Sequence, residues 1–204
     1  MTEFTAYRYE IMRALARDSL IHRPVILDLG AGADPISRPL AFRQQIRADI
    51  RPEHAPTMVC NLAEAIPLAD HTVDLVIAGE IIEHIAHSRR FLSEIHRVLA
   101  PGGRLLLSTP NIVSFKYRVA FLLGRIPAHA ARADYTYRAG DPANGWGHVR
   151  DYSFAELRMV LQDNGFKVTA ERGTGLAWRG QIVLPASLLP LHLSDQIVVM
   201  AEAC

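Results

Sequence analysis

Gly30 and Gly32 close the run VILDLGAGAD at 25–34, in which a hydrophobic stretch empties into an acidic-flanked glycine turn. Neither glycine carries a Cβ, so the backbone there can bend sharply and come close to a ligand. Asp49 ends the short run 45–48 about one crossover later, the layout of an open α/β sheet with a ligand at its first turn. A carboxylate at that strand end can accept hydrogen bonds from both hydroxyls of a ribose. The phosphates of other nucleotides can be argued away. A dinucleotide turn needs glycine at a third position, where this chain has Pro35, and no Gly-Lys-Ser/Thr run exists for a phosphate loop. The turn therefore suits an adenosine-bearing ligand without phosphates. Nine histidines supply groups able to move protons near neutral pH. His84 follows the fourth predicted strand at the carboxyl edge of the sheet, where ligands sit in such folds. Glu83, His84 and His87 are ligand types at close spacing, but with no third ligand in sequence reach no metal is expected.

These residues need a parallel sheet to hold them. Val25, Ile26, Leu27 and Leu29 read as its first strand, 45–48 as its second and 57–60 as its third. Leu75 to Ala78 form a fourth, after which 79–84 enters a helix. Arg90 to Leu99 has helical apolar spacing and is stopped by Pro101-Gly102-Gly103, and Arg104 to Ser108 is a fifth strand. After the glycine turn, Asp34 can cap a helix with Pro35 at its first position. Pro39 then makes that helix short, or moves its start to Ser37. Phe4 to Ile21 forms an N-terminal helix positioned to cap the ligand. Ile112 to Leu123 is helical, and 128–150 follows as a long aromatic and basic insertion, the place for a lid or substrate wall. In it Arg132, Arg138 and Arg150 could clamp an anionic group. Ser153 and Glu156 form a capping box, Gly165 ends that helix, and 167–172 and 196–201 are the last two strands. The apolar run 182–193, with Pro185 and Pro190, either packs against the sheet or roofs the pocket.

Four segments in order, LDLGAGAD, ADI, IPLADHTVDLVIAGEIIEHI and RVLAPGGRLLLSTPN, resemble the class I S-adenosylmethionine-dependent methyltransferases, closest to their small-molecule branch. A later segment, GHVRDYSFAELRMVLQDNGFKV, resembles the same branch. The resemblance covers roughly 24–111. It implies a Rossmann-like α/β fold: a seven-stranded, mostly parallel sheet with helices on both faces. It divides one domain, 1–204, into a cap helix (1–22), a cofactor half (24–111), a lid insertion (112–152) and a C-terminal half (153–204). S-adenosyl-L-methionine is the implied cofactor. Gly30 and Gly32 would line its methionine part, Asp49 would hold its ribose, and Asn61 and Leu62 would flank its adenine, with Asp28, Ala31, Ile50, Gly79 and Glu80 as further cofactor-binding residues. Asn61 stands where the family usually has aspartate; its amide carbonyl can still accept from an adenine amino group. The resemblance also places the lid, and with it His148, over the pocket. His148 is thus the first candidate for a base that takes a hydroxyl proton, and His84 the second.

Composition agrees with a single domain large enough for a core: 204 residues, 50% hydrophobic, net charge +1. That balance gives no global pull toward nucleic acid. No run of 18 uncharged apolar residues suggests a membrane span, and two cysteines do not make a disulfide framework. A cytoplasmic enzyme methylating a small-molecule acceptor, on oxygen, is the expected function. The alternatives are a methyltransferase of protein or nucleic acid, or a protein that only binds the cofactor. Base-amino methylation is disfavoured because Gly79-Glu80-Ile81-Ile82 stands where an Asn/Asp-Pro-Pro-Tyr turn would be.

Overall fold

A computed structural model describes residues 1–19, 24–126 and 148–204. Helix α1 (Glu3–Ser19) precedes strands β1 (Val25–Leu29), β2 (Gln44–Asp49), β3 (Met58–Val59) and β4 (Val73–Gly79). Helix α2 (Ser88–Val98) leads into β5 (Leu99–Pro110), followed by α3 (Phe115–Leu122) and α4 (Phe154–Gln162). Strands β6 (Phe166–Gly173), β7 (Leu176–Trp178), β8 (Gln181–Leu184) and β9 (Gln196–Ala203) complete the chain. Seven strands form one sheet in the order β3-β2-β1-β4-β5-β9-β6, with β7 and β8 paired as a separate ribbon. The pairs from β3 through β5 are parallel, and β9 runs antiparallel between β5 and β6. The seven-stranded, mostly parallel Rossmann-like sheet expected from sequence is thus present.

Side-chain alternation along each strand divides the core into two layers. Val25, Leu27, Val76, Leu105, Leu107 and Val199 face α2 and α4, whose Phe91, Leu92, Ile95, Leu157 and Leu161 bury against them. On the opposite face Ile26, Leu75, Ile77, Leu106 and Val198 meet Met12, Leu15 and Ala16 of α1. The N-terminal helix is therefore a layer of the core. Its Arg8 also reaches the carboxyl edge of the sheet, where it pairs with Glu80 at 2.9 Å.

Two helical expectations fail, for identifiable reasons. No helix follows the glycine turn; 35–40 is a chain of turns, with Arg38 N–H donating to Pro35 and Leu40 N–H to Ser37. Pro39 can donate no backbone hydrogen bond, and the Ser37 N–H is diverted to the Asp28 carboxylate. Side chains of α1 serve that segment instead: Tyr9 donates to the Asp34 carbonyl and Arg13 to that of Ile36. Likewise 79–84 does not enter a helix. Glu80 has φ 57°, and only a single 3-10 turn, Ile82–His84, forms before extended Ile85. The capping box at Ser153 and Glu156 is present, both of its hydrogen bonds made. The apolar run 182–193 is part strand, part 3-10 turns; Asn111, at the end of β5, donates to the carbonyls of His192 and Ser194 and ties the run down.

Asp28 lies in the middle of this construction. It is buried on the α1 face, and both the N–H and the hydroxyl of Ser37 donate to its Oδ2, at 3.0 and 2.6 Å. Burial pushes its carboxyl up to about 6, against the pull of those two hydrogen bonds. A raised acid favours its neutral form in the folded state, so its charge destabilises the fold as pH rises from the ordinary carboxylate range through 6. Asp28→Asn keeps an oxygen for Ser37 and carries no charge. We expect it to be more stable than the parent by about 1–2 kcal/mol at pH 8, the gap closing toward pH 4. Urea denaturation at the two pH values measures this; a less stable variant at pH 8 would show that the charge is needed.

Candidate active site

The candidate residues Gly30, Ala31, Gly32, Asp49, Ile50, Asn61, Leu62, Gly79, Glu80 and His84 lie at or follow the carboxyl ends of β1, β2, β3 and β4, whereas the carboxylate of Asp28 is turned to Ser37 on the α1 face. Gly30 and Gly32 both take the left-handed conformation, at φ 64° and 57°. The N–H groups of Gly30 and Ala31 donate to the Ala48 carbonyl, which closes the turn against β2. A Cβ on Gly30 would collide with the Ile81 side chain, whereas one on Gly32 would meet open space. Gly30 is thus required by packing and conformation, and Gly32 opens the turn toward solvent, where a ligand can approach.

Asp49 is almost buried and held from three sides. Its Oδ2 accepts from the Gly32 N–H at 2.9 Å and lies 3.0 Å from His54 Nδ1, while Oδ1 accepts from the Arg51 N–H at 2.9 Å. Burial alone would raise its carboxyl, but the hydrogen bonds from Arg51, His54 and Gly32 outweigh it and hold the group below its ordinary value. The side chain is therefore a fixed anion locked to the glycine turn. Beside it Ile50 is 41% exposed, an aliphatic surface next to the carboxylate. Asn61 is exposed; its Oδ1 accepts from the Ala63 N–H and its amide donates to Glu64. Leu62 is in the core.

At the next strand end Gly79 packs closely on Ile36, and Glu80 is held in its left-handed conformation by Arg8, Ser108 and Gln196. Such conformations cost energy and gather at functional sites. One turn on, Glu83 is 1% exposed, and its Oε2 accepts from the Thr109 hydroxyl at 2.9 Å. Burial, reinforced by the neighbouring Glu80 charge, pushes its carboxyl well above the usual range. The Glu83 carbonyl accepts from the N–H groups of Val149 and Arg150, at 2.9 and 3.2 Å. That pair of hydrogen bonds seats His148 beside His84: their rings meet edge to face with centroids 5.1 Å apart. Asp151 Oδ1 lies 3.7 Å from His148 Nδ1. His84 and His148, chosen separately from sequence, therefore belong to one cluster, and His87 is outside it. In the sequence Glu83 stands with His84 and His87 as a ligand type at close spacing, with no metal expected. Its signal is a carboxylate inside the apolar run Ile81 to Ile85, an environment no solvated glutamate needs. Arg150 is exposed, its side chain 3.5 Å from the Ala86 carbonyl, and no anion clamp is assembled around it among the described residues. Arg132 and Arg138 lie outside the described residues.

Residues 27–107 match the family model described as "Methyltransferase domain". Over that segment, and in its sheet order, the chain is similar to methyltransferase domains, and S-adenosylmethionine is the cofactor named for relatives that it matches. Its relatives agree. It is 38% identical over 121 residues to a protein of Mycolicibacterium smegmatis named "Probable S-adenosylmethionine-dependent methyltransferase", covering 57% of this chain and 38% of that one. It is 24% identical over 145 residues to the mitochondrial ubiquinone biosynthesis O-methyltransferase of Mus musculus, covering 70% of this chain and 36% of that one. The chain thus spans less than half the length of these curated relatives. Among solved structures it shares its fold with a Burkholderia thailandensis 1,6-didemethyltoxoflavin-N1-methyltransferase bound to its substrate and S-adenosylhomocysteine. The TM-score is 0.62 at 17% identity, over 96% of this chain and 77% of that one. Among the described residues, no helix is long and apolar enough to cross a membrane.

Proposed function

We propose that this chain transfers the methyl group of S-adenosylmethionine to a hydroxyl oxygen of a small molecule. The observation that carries the reading is the Glu83–His84–His148 cluster at the β4 edge, one turn beyond Glu80 and next to Ile81, which packs on the glycine turn. The sulfonium donor is already activated, so the protein's work is to hold an oxygen in line with the methyl carbon and to exclude water. A hydroxyl also has to lose its proton, and two imidazoles beside a carboxylate are the groups that assist this near neutral pH. In this reading Gly30, Ala31 and Gly32 line the methionine part of the cofactor, Asp49 takes the ribose hydroxyls, and Ile50, Asn61 and Leu62 border the adenine. Gly79 and Glu80 close the pocket toward the acceptor. The named O-methyltransferase relative supports the choice of oxygen.

The experiment is a panel of small-molecule acceptors (phenols, catechols, aliphatic alcohols, carboxylic acids and amines) assayed for methyl transfer from labelled S-adenosylmethionine. Products carrying an O-methyl group are the expected result. Turnover confined to amines, or to protein or nucleic acid, would overturn the proposal.

A further inference from the structure

We propose that Glu83, His84 and His148 bind a divalent transition-metal ion, which takes an oxygen of the acceptor at its open positions. The second clause rests on the methyl-transfer reading above; cation binding does not. One Glu83 carboxylate oxygen and one nitrogen of each imidazole lie within 4.8 Å of one another. Two histidines and one carboxylate are the donor set of sites that hold zinc or iron for chemistry, where three protein ligands leave room for water or substrate. Ligands about 2.1 Å from a shared ion stand roughly 3.4 Å apart, so side-chain rotations of about 1 Å complete the site.

A second observation points to a cation independently. Glu83 is almost wholly buried, yet its Oε1 has no hydrogen-bond partner, while Oε2 is satisfied by Thr109. A carboxylate oxygen left so in the interior is costly, and a positive ion beside it removes the cost. Oε1 also lies on the side of the imidazoles, 4.0 Å from His84 Nε2.

The surroundings have the character of a supported metal site. Thr109 fixes the Glu83 carboxylate from behind, as hydrogen-bonded outer groups orient ligating carboxylates. The main-chain hydrogen bonds from Val149 and Arg150 to Glu83 fix the segment that carries His148. Asp151, 3.7 Å from His148 Nδ1, stands where a carboxylate orients a ligating imidazole. The side chains of His84 and His148 are 20% and 13% exposed while that of Glu83 is 2% exposed, so an acceptor would approach from the imidazole side.

The full chain, stripped with a chelator, is titrated with Zn²⁺ by calorimetry and with Co²⁺ by visible absorption. One ion per chain is expected. His84→Ala/His148→Ala should weaken binding by ~100-fold or more, and Thr109→Val by ~10-fold. No saturable binding, or equal binding by the double variant, would overturn the proposal. Glu83→Gln should weaken binding by a similar factor, and should it fail to fold, the histidine double variant still decides. S-adenosylmethionine binding is measured on the same stripped chain. If it persists where no cation binds, this proposal fails and the methyltransferase reading stands. Turnover lost to chelator and restored by metal supports the acceptor clause. Turnover indifferent to chelator overturns that clause and leaves the imidazoles acting as bases.

Discussion

His148→Gln is expected to lower turnover by at least ~100-fold while leaving the Kd for S-adenosylmethionine within about threefold of the parent. The expectation separates two ends of one pocket. In the proposed reading the cofactor side is the glycine turn and Asp49, whose hydrogen bonds among the described residues do not go to His148. His148 instead meets His84 and adjoins Glu83, the groups proposed to act on the acceptor oxygen. A positioned group that assists proton loss contributes ~10²–10⁴ in rate, and glutamine, though polar, is neither a base nor a good metal ligand. Single-turnover measurements with saturating acceptor give the number directly. His84→Gln is the matched experiment, and its loss should be of similar size because the two rings share one cluster. If His148→Gln instead kept kcat and raised only the acceptor KM, His148 would be a residue that holds the acceptor. A large loss at His84 alone would move the chemistry to the β4 edge.

The readability of this chain follows from where each structural decision is made. Strands β1, β4 and β5 are legible because their apolar runs are bounded by turn residues, and a buried parallel strand needs little else. The capping box at Ser153 is legible because its partners are three residues apart. The missing helix after the glycine turn was not legible. It depends on Asp28 reaching Ser37 and on Tyr9 and Arg13 arriving from α1, contacts between segments that local propensity does not encode. The site shows the same division. The meeting of Asp49 with the glycine turn follows from their strand and turn positions. The union of His148 with Glu83 and His84 could not, because two main-chain hydrogen bonds between distant segments create it, and spacing along the chain says nothing of them. Spacing along the chain groups His87 with Glu83 and His84, whereas the fold leaves His87 outside the cluster and brings in His148.

Asp49→Ala is expected to weaken S-adenosylmethionine and S-adenosylhomocysteine alike, each by ~1.5–3 kcal/mol, or roughly 10- to 150-fold. The equality is the sharper half of the expectation. The two ligands differ only in the methyl group and the sulfonium charge, whereas the ribose they share is what a carboxylate at the end of β2 would hold. Asp49 is prepared for that task. Its carboxylate is oriented by Gly32, Arg51 and His54 and kept ionised by their hydrogen bonds, so little ordering remains to be done on binding. The same bonds set the pH dependence. A depressed carboxyl gives its contribution above the ordinary carboxylate range and loses it only as pH falls through the lowered value. The affinity Asp49 supplies should thus hold constant from neutral pH down to about 4. Alanine also releases the Gly32 N–H, so calorimetry is paired with thermal unfolding, and Asp49→Asn, which keeps an acceptor for Gly32, isolates the charge. Asparagine should fall between parent and alanine. Unchanged affinity in both variants would remove Asp49 from the ribose site. A loss for S-adenosylmethionine alone would mean that the carboxylate answers the sulfonium charge instead.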